Sequence, residues 1–284
     1  MKITDAQVHI YEPDTREHPW PREPGRGAPP KKHARGFSAL QMLGAMEAVG
    51  VDRAVIVPPV WAGDNNAPAL ATAANYPGKL VVMGRIDPYA ADSPERLERW
   101  LAQPNMRGIR MSGRWSTLDK PFYEALDDPA LEWYWAACER LEIPIMILTG
   151  KYVSKLAPIA QRHPRLVMII DHLSVQHADT VANAFRAYEE VLGVARFPGI
   201  HIKVGNAPNA SRKPYPFDDV HDYLRGIHQA FGARRMLWEA DITQLTKNTY
   251  AECLRLWQEG LPFLSAEDRE WILSRTAAQV LKWP

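Results

Sequence analysis

Acid–base chemistry needs carboxylates and imidazoles within hydrogen-bonding reach of one another, and this chain carries both at the ends of short apolar runs. Asp5, Gln7 and His9 stand two residues apart in the first run. Asp171 and His172 end a later one, Lys203 lies in the next, and the last passes through Glu239 to Asp241. Arg85 and Asp87 end a third run, and Arg110, with Arg114 just beyond it, a fourth. A spacing of two places Asp5, Gln7 and His9 on one face of an extended segment. Buried strands rarely carry such side chains without a reason, because an unpaired charge in a dry interior is costly. Each also has a purely structural alternative. His9 read alone is a core histidine bonded to a carbonyl, a reading that weakens once His172 and Asp241 stand at equivalent strand ends. Asp171 is equally a brace for the interior, and Glu239 equally a partner for Lys203. Arg110, in the strand-like Ile109-Arg110-Met111, is expected to face a substrate. The remaining histidines, among them His163 at a helix end where a C-terminal dipole favours it, are expected to be bystanders.

The elements that must position these residues alternate along the whole chain. Strands are expected at Lys2 to Ile10, Arg53 to Pro58, Leu80 to Ile86, Gly108 to Met111, Ile143 to Leu148, Leu166 to Asp171, His201 to Val204 and Met236 to Ala240. They are short and apolar almost throughout, the pattern of parallel strands buried on both faces. Helical patterns fill the gaps: Ala39 to Val49, Ala67 to Tyr76, Pro94 to Leu101, Pro129 to Leu141, Ser154 to His163, Thr180 to Leu192 and Val220 to Phe231. Thr249 to Gln258 and Ala266 to Lys282 follow the last strand. Eight strand-then-helix units predict a single (β/α)8 barrel domain over residues 1–284, with a doubly wound sheet as the competitor. Tyr11-Glu12-Pro13-Asp14-Thr15, after the first strand, lacks the glycines with which a dinucleotide fold approaches pyrophosphate, which counts against that competitor. Long first (Tyr11 to Arg35) and seventh (Gly205 to Pro216) βα loops are expected over the mouth, where a barrel keeps its site. Trp20, Trp61, Trp115 and Tyr215 in the loops are read as a pocket wall or a homo-oligomer contact.

Composition narrows the function. At 284 residues, 46% hydrophobic and 24% charged, the chain has enough apolar surface for a large core. Its 34 Lys and Arg against 33 Asp and Glu give no field for a polyanion or an anionic bilayer. No nucleic-acid partner and no membrane are expected, and a cytoplasmic protein is. Cys138 and Cys253 have no CxxC spacing and form neither a disulfide framework nor a zinc knuckle.

The runs Ile3-Thr4-Asp5-Ala6-Gln7-Val8-His9-Ile10, Val57-Pro58-Pro59-Val60-Trp61-Ala62-Gly63-Asp64-Asn65, Arg107-Gly108-Ile109-Arg110, Ile170-Asp171-His172-Leu173 and Arg235-Met236-Leu237-Trp238-Glu239-Ala240-Asp241 together resemble the amidohydrolase superfamily. Within it the sequence is most similar to the amidohydrolase-related group that contains the lactonases of aromatic degradation, such as the 2-pyrone-4,6-dicarboxylate lactonases. The resemblance spans the whole chain and implies a distorted barrel with its site at the C-terminal mouth. Most members hold one or two divalent metals on a His-x-His pair of strand one, histidines of strands five and six and an aspartate of strand eight. This chain departs twice, with Gln7 for the first histidine and Ile147-Leu148-Thr149-Gly150 at the end of strand five. His9, His172 and Asp241 remain, a set able to hold zinc or manganese facially with Gln7 a poor oxygen donor.

Similarity to the metal-free lactonase branch implies Asp241 as the base that activates water, with His9 and His172 polarising the scissile carbonyl. It places Arg110, Arg114 and Arg212 on substrate carboxylates, a task suited to the planar guanidinium fork. Tyr152 adds a hydroxyl, or is a plain loop tyrosine; Gln7 and Lys203, as strand-end residues, face the same substrate. The expected function is a hydrolase that opens a small carboxylated lactone or cyclic ester with no cofactor. The rivals are a divalent-metal amidohydrolase or non-oxidative decarboxylase of an aromatic acid, and a barrel that binds a ligand without turning it over.

Overall fold

The computed structural model describes residues 1–17, 19–20, 35–113, 122–175 and 178–283. Among them, eight strands pair in parallel in chain order: β1 (Thr4–Val8), β2 (Arg53–Ile56), β3 (Leu80–Gly84), β4 (Met106–Met111), β5 (Ile145–Ile147), β6 (Met168–Ile170), β7 (Ile200–Lys203) and β8 (Met236–Leu237). The ring is nearly closed, its last gap bridged where Ala6 N–H donates to the carbonyl of Trp238, just beyond β8, at 3.0 Å. This is the expected (β/α)8 barrel. Ala6, Val55, Val57, Val81, Met83, Met146, Ile169 and Leu237 pack together as the interior layer, with Ala277, Leu281 and Trp283 from the C-terminal segment against it. The alternate residues, such as Ala54, Ile56, Val82, Ile145 and Ile170, pack outward under the helices. Both faces are dry, which is why the runs read as continuously apolar.

Helix bounds follow local chemistry. The helix Ala39–Val49 starts at a reciprocal Ser38/Gln41 capping box and stops at Gly50, whose φ of 77° suits glycine. The pattern read as one helix from Thr180 to Leu192 divides into Val181–Ala184 and Tyr188–Val194, and the stretch after β7 read as irregular contains a short helix, Ala207–Ala210. In the C-terminal helical segment, Trp271–Arg275 widens into a π turn. The Ile272 carbonyl in that turn accepts from Trp238 N–H at 2.9 Å, so the ladder of β8 ends early. No helix among the described residues is long and apolar enough to cross a membrane. Cys138 and Cys253 are both buried free thiols.

The first strand departs from simple alternation. Its register with β2 shifts between Asp5 and Val8, a bulge that carries an extra residue on one side. Ala6 belongs to the interior layer, while Asp5 turns the other way, toward Tyr250 of the helix Tyr250–Arg255. Asp5 is therefore not on the face of Gln7 and His9, as strict alternation predicts. Its Oδ1 accepts from Gln7 N–H at 3.0 Å and Ala240 N–H at 3.1 Å, and its Oδ2 from the Tyr250 hydroxyl at 3.0 Å. Burial raises this carboxyl to about 7 in spite of those donors.

Beyond β7, the backbone of Gly205 lies against β8: a Cβ added there would sit 1.3 Å from the Glu239 carbonyl oxygen. Only glycine permits that approach. Gly205→Ala is expected to lower stability by about 3 kcal/mol, the scale of overpacking a closed interior. Urea unfolding checks it, and an unchanged midpoint would show that the strand ends separate freely.

Candidate active site

The site is organised around a buried lysine. Lys203 has no solvent exposure, and its ammonium lies 2.6 Å from Asp171 Oδ1 and 3.0 Å from Glu239 Oε2, with Gln7 Oε1 as its third acceptor. Two carboxylates and one amide oxygen thus surround the ammonium. The network extends both ways: Arg110 Nε donates to Asp171 Oδ2 at 2.8 Å, and His172 Nδ1 donates to Glu239 Oε1 at 2.6 Å. Burial alone would raise Asp171, but Lys203 and Arg110 outweigh it and hold the carboxyl well below the usual range. Burial likewise opposes the charge on Glu239, and His172 with Lys203 keeps it ionised below its ordinary value.

Above this layer His9, His172 and Asp241 converge. His9 Nε2 is 3.5 Å from Asp241 Oδ1, and His172 Nε2 is 3.6 Å from Asp241 Oδ2. His172 and Asp241, two residues beyond β6 and four beyond β8, both have left-handed backbones, with φ of 54° and 47°. Such conformations cost about 1–3 kcal/mol each and persist where the surroundings over-determine them. At His172 the support is visible: Leu173 and Ser174 continue the left-handed turn, and the Ser174 hydroxyl is bonded to Thr149 Oγ1 at 2.8 Å.

The two histidines differ, although the sequence reading gives them one job. The Val57 carbonyl, 2.8 Å from His9 Nδ1, can only accept, so Nδ1 carries the hydrogen and Nε2 presents a lone pair. Burial lowers the His9 imidazole even with Asp241 beside it, which keeps it neutral. Both readings of His9, core histidine on a carbonyl and site residue, describe the same side chain. For His172 burial also opposes charge, but the Glu239 carboxylate outweighs it and raises the imidazole.

A cavity of about 600 Å³ opens over this cluster. His9, Arg110, Tyr152, His172 and Asp241 line it; Gln7 and Lys203 lie in the layer beneath and do not. The Arg212 guanidinium donates to the Ala178 carbonyl on the surface and does not reach the cavity. Arg114 and Trp115 lie outside the described residues. Tyr11 and Trp61 form an edge-to-face pair at 5.3 Å on one side, and Trp20 stacks behind Trp61 at 4.8 Å. Tyr123 and Tyr152, stacked at 5.4 Å, line another part of the wall. Sequence reasoning missed Lys151 and Arg186, two further cations of the lining, and the neutral polar residues Asn206, Asn209, Thr243 and Gln244. Lys151 and Thr243 carry a usable signal, since each follows a strand end by a few residues; Arg186 lies in a broken helix and carries none. Arg85, singled out as a strand-end residue, is a brace bonded to the Gly63 carbonyl and to Ser112.

The amidohydrolase family model matches residues 4–283, nearly the entire chain. The chain belongs to the amidohydrolase family. Among curated proteins it is similar to the L-fucono-1,5-lactonase of Burkholderia ambifaria, 24% identical over 241 residues, covering 84% of this chain and 79% of that one. Among solved structures, an amidohydrolase from Burkholderia multivorans with bound zinc superposes with a TM-score of 0.79 at 19% identity, over 100% of both chains. The probable 2-pyrone-4,6-dicarboxylic acid hydrolase of Acinetobacter baumannii, with citric acid bound, gives 0.77 at 17% identity, over 99% of this chain and 100% of that one. Family membership and the lactonase relative make this chain a hydrolase enzyme.

A divalent ion in this family is held by converging lone pairs, and the side chains here fit one poorly. Gln7 Nε2, an amide donor, lies 3.1 Å from His172 Nε2 and 3.4 Å from both His9 Nε2 and Asp241 Oδ2. Among the described residues no group of three or more His, Cys, Asp and Glu side chains is placed to hold a metal.

Asp171→Asn would leave Arg110 and Lys203 short of a counter-charge in a dry interior, and is expected to cost about 3–5 kcal/mol near neutral pH. Because the folded carboxyl is depressed, the wild-type advantage is complete above the unfolded value of about 4 and declines as pH falls below it. Urea unfolding of both proteins at about pH 7 and about pH 3 measures this. A difference that does not shrink in acid would assign the loss to something other than the charge.

Proposed function

We propose that this chain, working as one barrel domain, opens a small carboxylated lactone or related cyclic ester by attack of water, without a metal. The observation that carries the reading is the position of Asp241, in contact with two imidazoles at the floor of a cavity lined by Arg110, Lys151 and Arg186. In this reading Asp241 takes a proton from water as the water oxygen bonds to the lactone carbonyl carbon. The oxyanion that forms is met by the positive charge of the cavity lining, and His172, neutral at rest with its hydrogen on Nδ1 toward Glu239, lies beside it. Collapse breaks the bond to the ring oxygen, Asp241 returns its proton there, and the product is a hydroxy acid. His9, neutral with a lone pair at Nε2, orients the water by accepting from it.

The carboxylated substrate is inferred from the three cations of the lining, and the lactone from the curated relative. The tyrosine pairs supply flat apolar walls against which a ring can lie.

The test is a panel of sugar-acid lactones, pyrone carboxylates and aromatic acids, assayed with chelator and with zinc. Lactone opening that survives chelation is the expected result; activity that follows added metal, or release of carbon dioxide from an aromatic acid, would replace this reading. Asp241→Asn is expected to lower kcat by about 10²–10⁴-fold, the span of general-base catalysis. Arg110→Met should act mainly on KM if the guanidinium holds a carboxylate equally in ground and transition states. Near-native turnover by Asp241→Asn would remove it from the mechanism.

A further inference from the structure

The amide of Gln7 has only one orientation open to it. Lys203, already in contact with two carboxylates, is a donor with no lone pair and takes Gln7 Oε1 as its third acceptor. Turning the amide over would set its NH2 against the ammonium. Nε2 therefore faces away from Lys203, toward His172 Nε2, His9 Nε2 and Asp241 Oδ2 at 3.1, 3.4 and 3.4 Å.

Two separations among the acceptors around it come close to those between ligands of a metal ion. Neighbouring ligands of a tetrahedral zinc ion with bonds of about 2.0–2.1 Å lie about 3.3–3.4 Å apart, and the imidazole-to-Asp241 separations here are 3.5 and 3.6 Å. The space between them is entered by amide hydrogens instead of by a cation. An amide nitrogen has no lone pair to give a metal, and its N–H bonds present positive ends where the ion would have to be. Contact with Lys203 polarises the amide further and strengthens it as a donor. Two hydrogens serve three acceptors, so one acceptor is left for water or substrate.

We propose that Gln7, held in orientation by Lys203, is a positioning residue that takes the place of a metal ion: it gathers His9, His172 and Asp241 and excludes divalent cations from them. This deepens the metal-independent reading given above, and it assigns to a single side chain the reason for that independence. It also gives Lys203 a role in fixing the amide rather than in holding substrate. The converse follows: Gln7→Glu keeps the shape and the Lys203 contact but replaces the donor by a fourth ligand, and should turn the cluster into a metal site.

Cobalt(II) and zinc titrations of the folded full-length protein test this without any substrate. The wild type is expected to show no saturable cobalt d–d spectrum. Gln7→Glu should take up one equivalent and bind zinc at least about 100-fold more tightly than wild type, a difference lost again in Gln7→Glu/His172→Ala. Gln7→Met, which deletes the amide hydrogens without adding charge, should show a smaller gain and stands in should the glutamate variant fail to fold. One equivalent of metal on the wild type, or folded variants that bind no more tightly than it does, would overturn the proposal. Failure of wild-type lactone opening in chelator would instead overturn the proposed reaction, because the metal titrations do not depend on it.

Discussion

A lysine ammonium with no solvent around it must be matched by acceptors on every N–H, and the interior of this barrel is arranged to meet that demand at Lys203. Asp171 from the end of β6, Glu239 from beyond β8 and Gln7 from the bulge of β1 all turn toward it. Each then uses its remaining atoms elsewhere: Asp171 on Arg110, Glu239 on His172 and Gln7 on the cluster above. One buried charge thus sets the orientation of three side chains that lie just under the cavity. Removing any member leaves a charge or a strong hydrogen-bonding group unsatisfied where water does not reach, which is why such networks are either complete or damaging.

Much of this was legible in the sequence, for identifiable reasons. The alternation of short apolar runs with amphipathic ones specified the barrel because both faces of a parallel sheet are dry. The helix Ala39–Val49 was readable to the residue because Ser38 and Gly50 are strong local signals. His9, His172 and Asp241 could be brought together because equivalent strand ends share one mouth. The pairing of Glu239 with Lys203 was readable as an alternative, since a buried cation and a buried carboxylate seek each other.

The rest escaped because it depends on geometry that a period of two does not contain. A bulge in β1 moves Asp5 off the face of Gln7 and His9, and no residue type in that stretch announces it. The direction of the Gln7 amide is decided by a lysine 196 positions away. Arg212 looked available to a carboxylate because its loop follows β7, but its guanidinium is bonded to a carbonyl outside the cavity. Arg186 reaches the lining from a helix break that periodicity smooths over. The two histidines, given one job in the sequence, divide for a related reason: burial lowers the His9 imidazole, which has only a neutral carbonyl behind Nδ1, whereas the Glu239 carboxylate behind His172 Nδ1 outweighs burial and raises that ring.

The latch at Asp5 bears on how such a chain comes together. Ala240 meets this carboxyl across a separation of 235 residues and Tyr250 across 245. The strand synthesised first therefore has its outer polar group satisfied only once the last strand and the helix after it are in place. Contacts between such distant segments carry a loop-closure entropy that local contacts do not. Ring closure is thus a late, long-range event, and until it occurs the bulged segment that carries Gln7 has only β2 to define its register.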